Sequence, residues 1–308
     1  MSVLSAPYFH DEEAAFAKLE SIVWPEGPVC PHCGGVDKVY AIKPNVEKRV
    51  RVGLKKCGHC RKQFTVKVGT VFEHGRVPLH KFLQAVYLMC SSKKGVSSKQ
   101  LERTLEVTYK TAWFMAHRIR EAMRSGELAP FGSGGGTVEA DETFIGREPG
   151  VEKKRGGYAH KRKVLALVDR DTKRVRSVVV NDLKPVTLAP ILAENIAAEA
   201  RLVTDEAHHY KRLGKAFAGH ETVNHGKDEY VRGDVTTNTV EGYFSVFKRG
   251  MKGVYQHCAK KHLHRYLAEF DFRYNEREAN GVNDRNRTDA ALRGAVGKRL
   301  LYRDSSVA

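Results

Sequence analysis

Asp141, Asp205 and Glu241 are the residues of this chain whose type and setting point to chemistry. Asp141 lies in TVEADETF (137–144), Asp205 closes the apolar run LVTD (202–205), and Glu241 follows NTV (238–240) on a segment with helical periodicity. Carboxylate oxygens are hard ligands, and a pair of divalent cations ~4 Å apart needs several of them on rigid elements to cut a phosphodiester in line. With 36 acidic residues in the chain, most of them expected at the solvated surface, a triplet alone says little. Placement separates these: an acid that ends an apolar strand is desolvated unless a cation compensates it.

A second cluster has metal-ligand spacing. Cys30 and Cys33 form one C-x-x-C knuckle, Cys57 and Cys60 another, with 23 residues between them. Four thiolates so spaced close a tetrahedron around structural Zn²⁺, as in zinc ribbons. A redox role is the alternative, but neither pair follows a strand–helix–strand unit. His32 and His59 lie inside the knuckles and could replace a cysteine, although four thiols leave no need. Cys90 and Cys258 sit in apolar helical contexts and read as core thiols.

These residues need three blocks to position them. Up to about residue 75 the pattern is a helix over 11–22 and short strands around the knuckles, with 61–68 alternating so that Phe64, Val66 and Val68 share a face. Residues 76–130 are helical: 78–90 carries Leu79, Phe82, Leu83, Val86 and Met89 or Cys90 at helical spacing. A short helix over 96–105, capped by Ser97 or Ser98, a turn at 106–108 and a helix over 109–120 then read as helix-turn-helix. Its second helix would present Lys110, Thr111 and Arg118 to DNA; a plain three-helix bundle with a basic face is the alternative.

After the glycine-rich segment 132–136, strands are expected over 137–144, 163–169 and 174–180, then a helix near 187–200 and a strand over 201–204. Three antiparallel strands and a crossover to a fourth is the order of an RNase H-like mixed sheet. There the first and fourth strands are neighbours, which brings Asp141 and Asp205 together. Glu241 starts a helix capped by Thr237 or Asn238, with Val240, Tyr243, Phe244 and Phe247 as its buried stripe. Lys248, Arg249 and Lys252 further along it could hold phosphates, or the face could simply be solvated. His208, His209, His220 and His225 read as surface or DNA-backbone residues, and residues 281–308 as a basic tail that helps hold DNA.

Composition narrows the partners. The 308 residues carry 53 Lys and Arg against 36 Asp and Glu, a net +17, with 41% hydrophobic residues. That is enough apolar content for real cores, and a charge that calls for a polyanion. No run of about 18 apolar residues suggests a membrane span, the N-terminus lacks signal-peptide regions, and six cysteines are too few for a disulfide scaffold, so a cytoplasmic, DNA-binding protein is expected.

Over residues 8–280 the chain resembles prokaryotic insertion-sequence transposases of the DDE, RNase H-like class, the group with an N-terminal zinc ribbon related to Merlin elements. The matching segments are both C-x-x-C knuckles, KTAW (110–113) with RIR (118–120), EADET (139–143), TDE (204–206), NTVEG (238–242) and RYLAEFDFRYN (265–275). The resemblance implies an α+β multi-domain enzyme acting on double-stranded DNA, namely the terminal inverted repeats of its element and a target. It carries the catalytic and metal-binding roles onto Asp141, Asp205 and Glu241, with 35 residues between Asp205 and Glu241. Asn238 is the rival third ligand. Two Mg²⁺ or Mn²⁺ ions are implied, one activating water to free a 3′-hydroxyl and the other stabilising the leaving oxygen, followed by attack of that hydroxyl on target DNA. A homodimer or larger assembly on paired ends is implied too. A transposase-derived regulator without catalysis and a structure-specific nuclease of the same fold are the alternatives.

Overall fold

The computed structural model describes residues 3–126, 129–153, 157–224, 226, 229 and 231–301. The chain forms two compact units, Met1–Arg124 with Gly281–Ala308, and Ser125–Asn280.

The first unit opens with helix α1 (Glu12–Val23), whose N-cap Asp11 accepts the Ala14 N–H at 2.7 Å. Strands β1 (Val39–Ala41), β2 (Lys55–Cys57) and β3 (Gln63–Phe64) form an antiparallel ribbon in that order. Phe64 is fully buried beside Cys30 and Cys57, with Trp24 edge-on to it at 5.9 Å. The strand expected over 61–68 ends at Phe64, because Val68 N–H turns back to the Thr65 carbonyl at 3.0 Å and Gly69 takes φ 74°.

Helix α2 (Leu79–Ser91) buries the expected stripe, and its first amides are capped from α1: Glu12 accepts the N–H groups of Leu79 and His80 at 2.8 and 3.1 Å. Helix α3 (Ser98–Leu105) is capped by Ser97, which accepts the Gln100 N–H at 3.1 Å. Glu106 adopts the left-handed conformation that stops it, and Thr108 caps helix α4 (Tyr109–Met123). No helix among the described residues is long and apolar enough to cross a membrane.

The second unit is built on a five-stranded mixed sheet of order β6-β5-β4-β7-β8, with β4 (Thr137–Ile145), β5 (Arg162–Asp169), β6 (Arg174–Val180), β7 (Arg201–Thr204) and β8 (Gly219–Thr222). Pairings β4–β5 and β5–β6 are antiparallel; β4–β7 and β7–β8 are parallel. The expected order therefore holds, and β8 adds a strand that the sequence reading lacks. The crossover helix α5 (Pro185–Asn195) stops five residues before the expected 200, since Ala197 N–H pairs with the Phe131 carbonyl at 2.9 Å. Helix α6 (Tyr210–Leu213) and the small hairpin of β9 (Val231–Arg232) and β10 (Val235–Thr236) lead to α7 (Asn238–Gly250) and α8 (Leu263–Asn275).

Side-chain alternation along β5 divides two cores. Val164, Ala166 and Val168 pack with Val240, Tyr243, Phe247, Leu267 and Phe270 of α7 and α8, while Leu165 and Leu167 pack with Leu188 and Leu192 of α5.

The segment expected as a basic tail is a correction. Residues Asp284–Arg293 form helix α9, which packs against α1, α2 and α4 of the first unit. Its Arg287 is buried, donating to the Cys90 carbonyl at 2.9 Å and to Asp284 at 2.6 Å. Thr288, Ala291 and Leu292 are buried at helical spacing, so this stretch is core; Arg303 lies outside the described residues.

Candidate active site

Asp141 sits mid-strand rather than at a strand end. Its strand runs on to Ile145 paired with β5, but pairing with β7 stops at Glu139–Val203. Two residues further in the same parallel register, Asp141 stands level with Asp205, both just beyond the last ladder pair. Asp141 pairs with Ala166, on the face that α7 covers.

The acids act on one another. Burial, and then the charge of Glu142, push the Asp141 carboxyl up to about 7, with Asp205 and Glu241 adding to the rise and a bond from the Glu142 N–H opposing it. Asp205 is likewise raised, first by burial and then by Glu142 and Glu206, against the bond it accepts from the Ala207 N–H at 3.0 Å. Half-buried carboxylates whose ionisation is opposed in this way are a donor set that a divalent cation would complete. Among the described residues Cys30, Cys33, Cys57 and Cys60 are the one group of three or more that brings its ligand atoms within 4.8 Å of one another, so the carboxylates stand more openly than the thiols.

Glu241 is exposed in the first turn of α7, and its Oε1 accepts the Thr237 hydroxyl at 2.9 Å. Asn238, also exposed, opens the same turn. Neither Thr237 nor Asn238 caps the helix through its side chain, contrary to expectation. The cap comes from β4: Glu139 accepts the N–H groups of Thr239 and Val240 at 3.0 and 2.9 Å, and the Thr239 hydroxyl at 2.7 Å. Arg170 Nε neutralises Glu139 at 2.6 Å, while its other nitrogens hold the Asp234 and Thr236 carbonyls at 2.7 and 2.6 Å.

Sequence reasoning assigned Glu139 no role. The signal was an acid two residues before Asp141, hence on the same face of an apolar strand. Glu142, next along the strand, points to the opposite face and accepts a bond from His209 Nε2 at 2.7 Å. His209 and His220 are half-buried rather than surface residues; His220 bonds the Thr204 hydroxyl at 3.0 Å. His208 is exposed, and His225 lies outside the described residues.

In the ribbon, Cys30–Cys60 and Cys33–Cys57 sulfurs lie 3.7 and 3.6 Å apart. That matches the edge of a ZnS₄ tetrahedron, ~3.8 Å for bonds of ~2.3 Å. Cys90 is buried and Cys258 half-buried.

Lys110, Thr111 and Arg118 line one cavity of about 620 Å³ in the first unit. Lys110 is exposed at its rim and Thr111 half-buried, but Arg118 is only 5% exposed, its guanidinium 4.8 Å from the Phe114 ring centre. Lys248 on α7 and Lys252 in the turn after it line another cavity of about 820 Å³; Arg249 is exposed and donates to the Ser245 carbonyl at 3.1 Å.

A cysteine ribbon beside helices, and a mixed sheet with paired aspartates at the edge of its central parallel pairing, define the class: a transposase with a zinc-ribbon module. Residues 134–275 match the ISXO2-like transposase domain and residues 10–63 the transposase zinc-ribbon domain, and the chain belongs to the IS1595 family of transposases. A curated relative, described as an uncharacterized protein in transposable element ISH50 of Halobacterium salinarum, is 30% identical over 281 residues, covering 86% of this chain and 91% of that protein. A solved chain from the simian T-cell lymphotropic virus intasome in complex with PP2A regulatory subunit B56 gamma aligns at 12% identity over 62% of this chain and 65% of its own, with a TM-score of 0.29, too low to bear on the fold.

Proposed function

We propose that the chain cleaves DNA at the ends of its element and joins the freed 3′-hydroxyl to target DNA, using Asp141, Asp205 and Glu241. The observation that carries this reading is the β4–β7 register, which sets Asp141 level with Asp205, where burial first and the neighbouring acids second raise Asp141 to about 7. Mg²⁺ or Mn²⁺ ions, when bound, supply the positive charge that activates the attacking oxygen and stabilises the leaving one. Asp141 and Asp205 would hold them, with Glu241 closing the set from α7 and Asn238 on the same turn as the substitute. Asp141 must lose its proton to hold a cation, so cation binding competes with that proton and is expected to tighten as pH rises.

The remaining parts bind and orient DNA. Zn²⁺ held by Cys30, Cys33, Cys57 and Cys60 would staple a ribbon too small to fold on its own core. The ribbon and the α3–α4 pair would grip element ends through Lys110 and Thr111, and Lys248, Arg249 and Lys252 would hold phosphates beyond Glu241. Action on two ends at once calls for a dimer or larger assembly.

The test is purified protein with Mg²⁺ and DNA bearing the element ends. Nicking and strand transfer are expected, and Asp141→Ala should abolish both while binding DNA as tightly. Metal-independent binding without cleavage would instead identify a regulator; cleavage without joining, a nuclease.

A further inference from the structure

A cavity of the second unit lies past the acid site, around the far end of β4 and of α7. Its volume is about 820 Å³, within the ~300–1,000 Å³ of ordinary ligand sites. Arg147, Lys161, Arg162, Lys248, Lys252 and His257 line it, and among the described residues no Asp or Glu does. Arg162 is engaged by the Cys258 carbonyl and by Glu148 at 4.0 Å. The other lysines and Arg147 face one shared space, an arrangement of like charges that an anion relieves.

A second observation specifies the anion. Tyr158, 56% exposed, is stacked on Phe144 with ring centres 4.7 Å apart and planes 19° apart, and Lys161 Nζ stands 5.1 Å from its ring centre. A bare phosphate has no use for an aromatic shelf; a base does. The floor is apolar, from Ile145, Met251 and Leu263. The wall is a π-helical turn, Met251–Tyr255, closed by Gln256 at φ 51°, a conformation that non-glycine residues rarely keep without cause.

From cations, shelf and floor together we infer that this cavity binds an unpaired stretch of DNA strand, one base on Tyr158 and its flanking phosphates on Lys161, Lys248 and Lys252. Bases in a duplex have both faces covered by their neighbours, so a stacking platform selects single strands. Lys248 follows Glu241 by seven residues, ~10 Å along α7, or about three base steps of a strand at ~3.4 Å each. This inference rests on the proposed action at DNA: the same strand would run from the acids into the cavity. The substrate is then DNA opened next to the cut, not a blunt duplex.

The experiment uses full-length protein without added Mg²⁺ or Mn²⁺, and two probes. One is an oligothymidylate carrying a single 2-aminopurine, the other a blunt duplex of equal length. Quenching of 2-aminopurine on binding is expected. Tyr158→Ala should weaken oligothymidylate binding at least about fivefold and leave duplex binding within about twofold. Tyr158→Trp should retain the quench. Lys161→Ala and Lys252→Ala should each lower the salt dependence of oligothymidylate binding by ~0.7 in log–log slope. Absence of quenching, or equal losses on both probes with Tyr158→Ala, overturns the inference in favour of a general phosphate surface. Because no cleavage is read, the outcome is independent of the acid site.

Discussion

Glu139 Oε2 accepts the backbone N–H of Val240 at 2.9 Å, and that bond ties the strand bearing Asp141 to the helix bearing Glu241. Glu139 is fully buried and its partners come from Thr239, Val240 and Arg170, so one carboxylate both caps α7 and fixes its distance from β4. Glu139→Ala is expected to cost ~3–5 kcal/mol, because it leaves Arg170 uncompensated and helix amides unpaired. Urea denaturation measures it. Glu139→Gln should fold yet lose cleavage rate, through a displaced Glu241; unchanged cleavage in a folded Gln variant would remove Glu139 from site assembly.

Removing the carboxylate at the site should trade activity for stability. Asp141 is held up by burial and by the negative charges of Glu142, Asp205 and Glu241. Asp141→Asn therefore is expected to raise Tm by a few degrees in metal-free protein, on the order of 2–4 °C per kcal/mol for a chain of this size, while abolishing nicking. A calorimetric scan beside a nicking assay checks both; a lower Tm contradicts the charge-repulsion account.

The buried Asp271 gives a pH signature. Burial pushes its carboxyl up to about 7, against bonds from the Tyr243 hydroxyl at 2.6 Å and from the Ser177 N–H and hydroxyl at 2.9 and 2.7 Å. A folded pKa above the unfolded 3.8 means that the native state binds more protons, so this group's contribution falls as pH rises from about 4 to about 7. Asp271→Asn keeps one acceptor for the Ser177 N–H, and its amide can donate to hydroxyls that rotate. The variant should lose part of the decline seen between pH 5 and 8 in denaturation curves; a parallel decline would refute the assignment.

Zinc removal should unfold the ribbon selectively. Cys57 and Cys30 are buried in its small core with Phe64, and little else holds β1, β2 and β3 together. Chelation or Cys57→Ser is expected to release one zinc per chain and expose Trp24, read by a metallochromic dye and tryptophan fluorescence. Release without a change in fluorescence would mean that the ribbon stands without metal.

Lys110 and Arg118 should separate under substitution. Lys110 is exposed, so Lys110→Ala is expected to reduce the salt slope of DNA binding by about 1 with stability unchanged. Arg118 is buried over Phe114, so Arg118→Ala should lower stability first. Titrations at several salt concentrations, paired with thermal melts, distinguish the two.

What the sequence determined by itself is everything encoded within a few residues. Ligand spacing marked the Cys30–Cys33 and Cys57–Cys60 ribbon, helical periodicity marked α2 and α7, and apolar runs marked β4, β5, β6 and β7, with Asp141 on β4 and Asp205 just after β7. These signals are local because knuckles, helix turns and pleats repeat over two to four positions. Tertiary structure alone decided which partners complete them. Glu139 caps α7 across 101 residues, His209 answers Glu142 across 67, and Arg287 meets Cys90 across 197, which turned an expected tail into a core helix. No short-range pattern specifies such pairings. They arise when desolvation forces each buried N–H, carboxylate and guanidinium to find a partner, wherever in the chain that partner is.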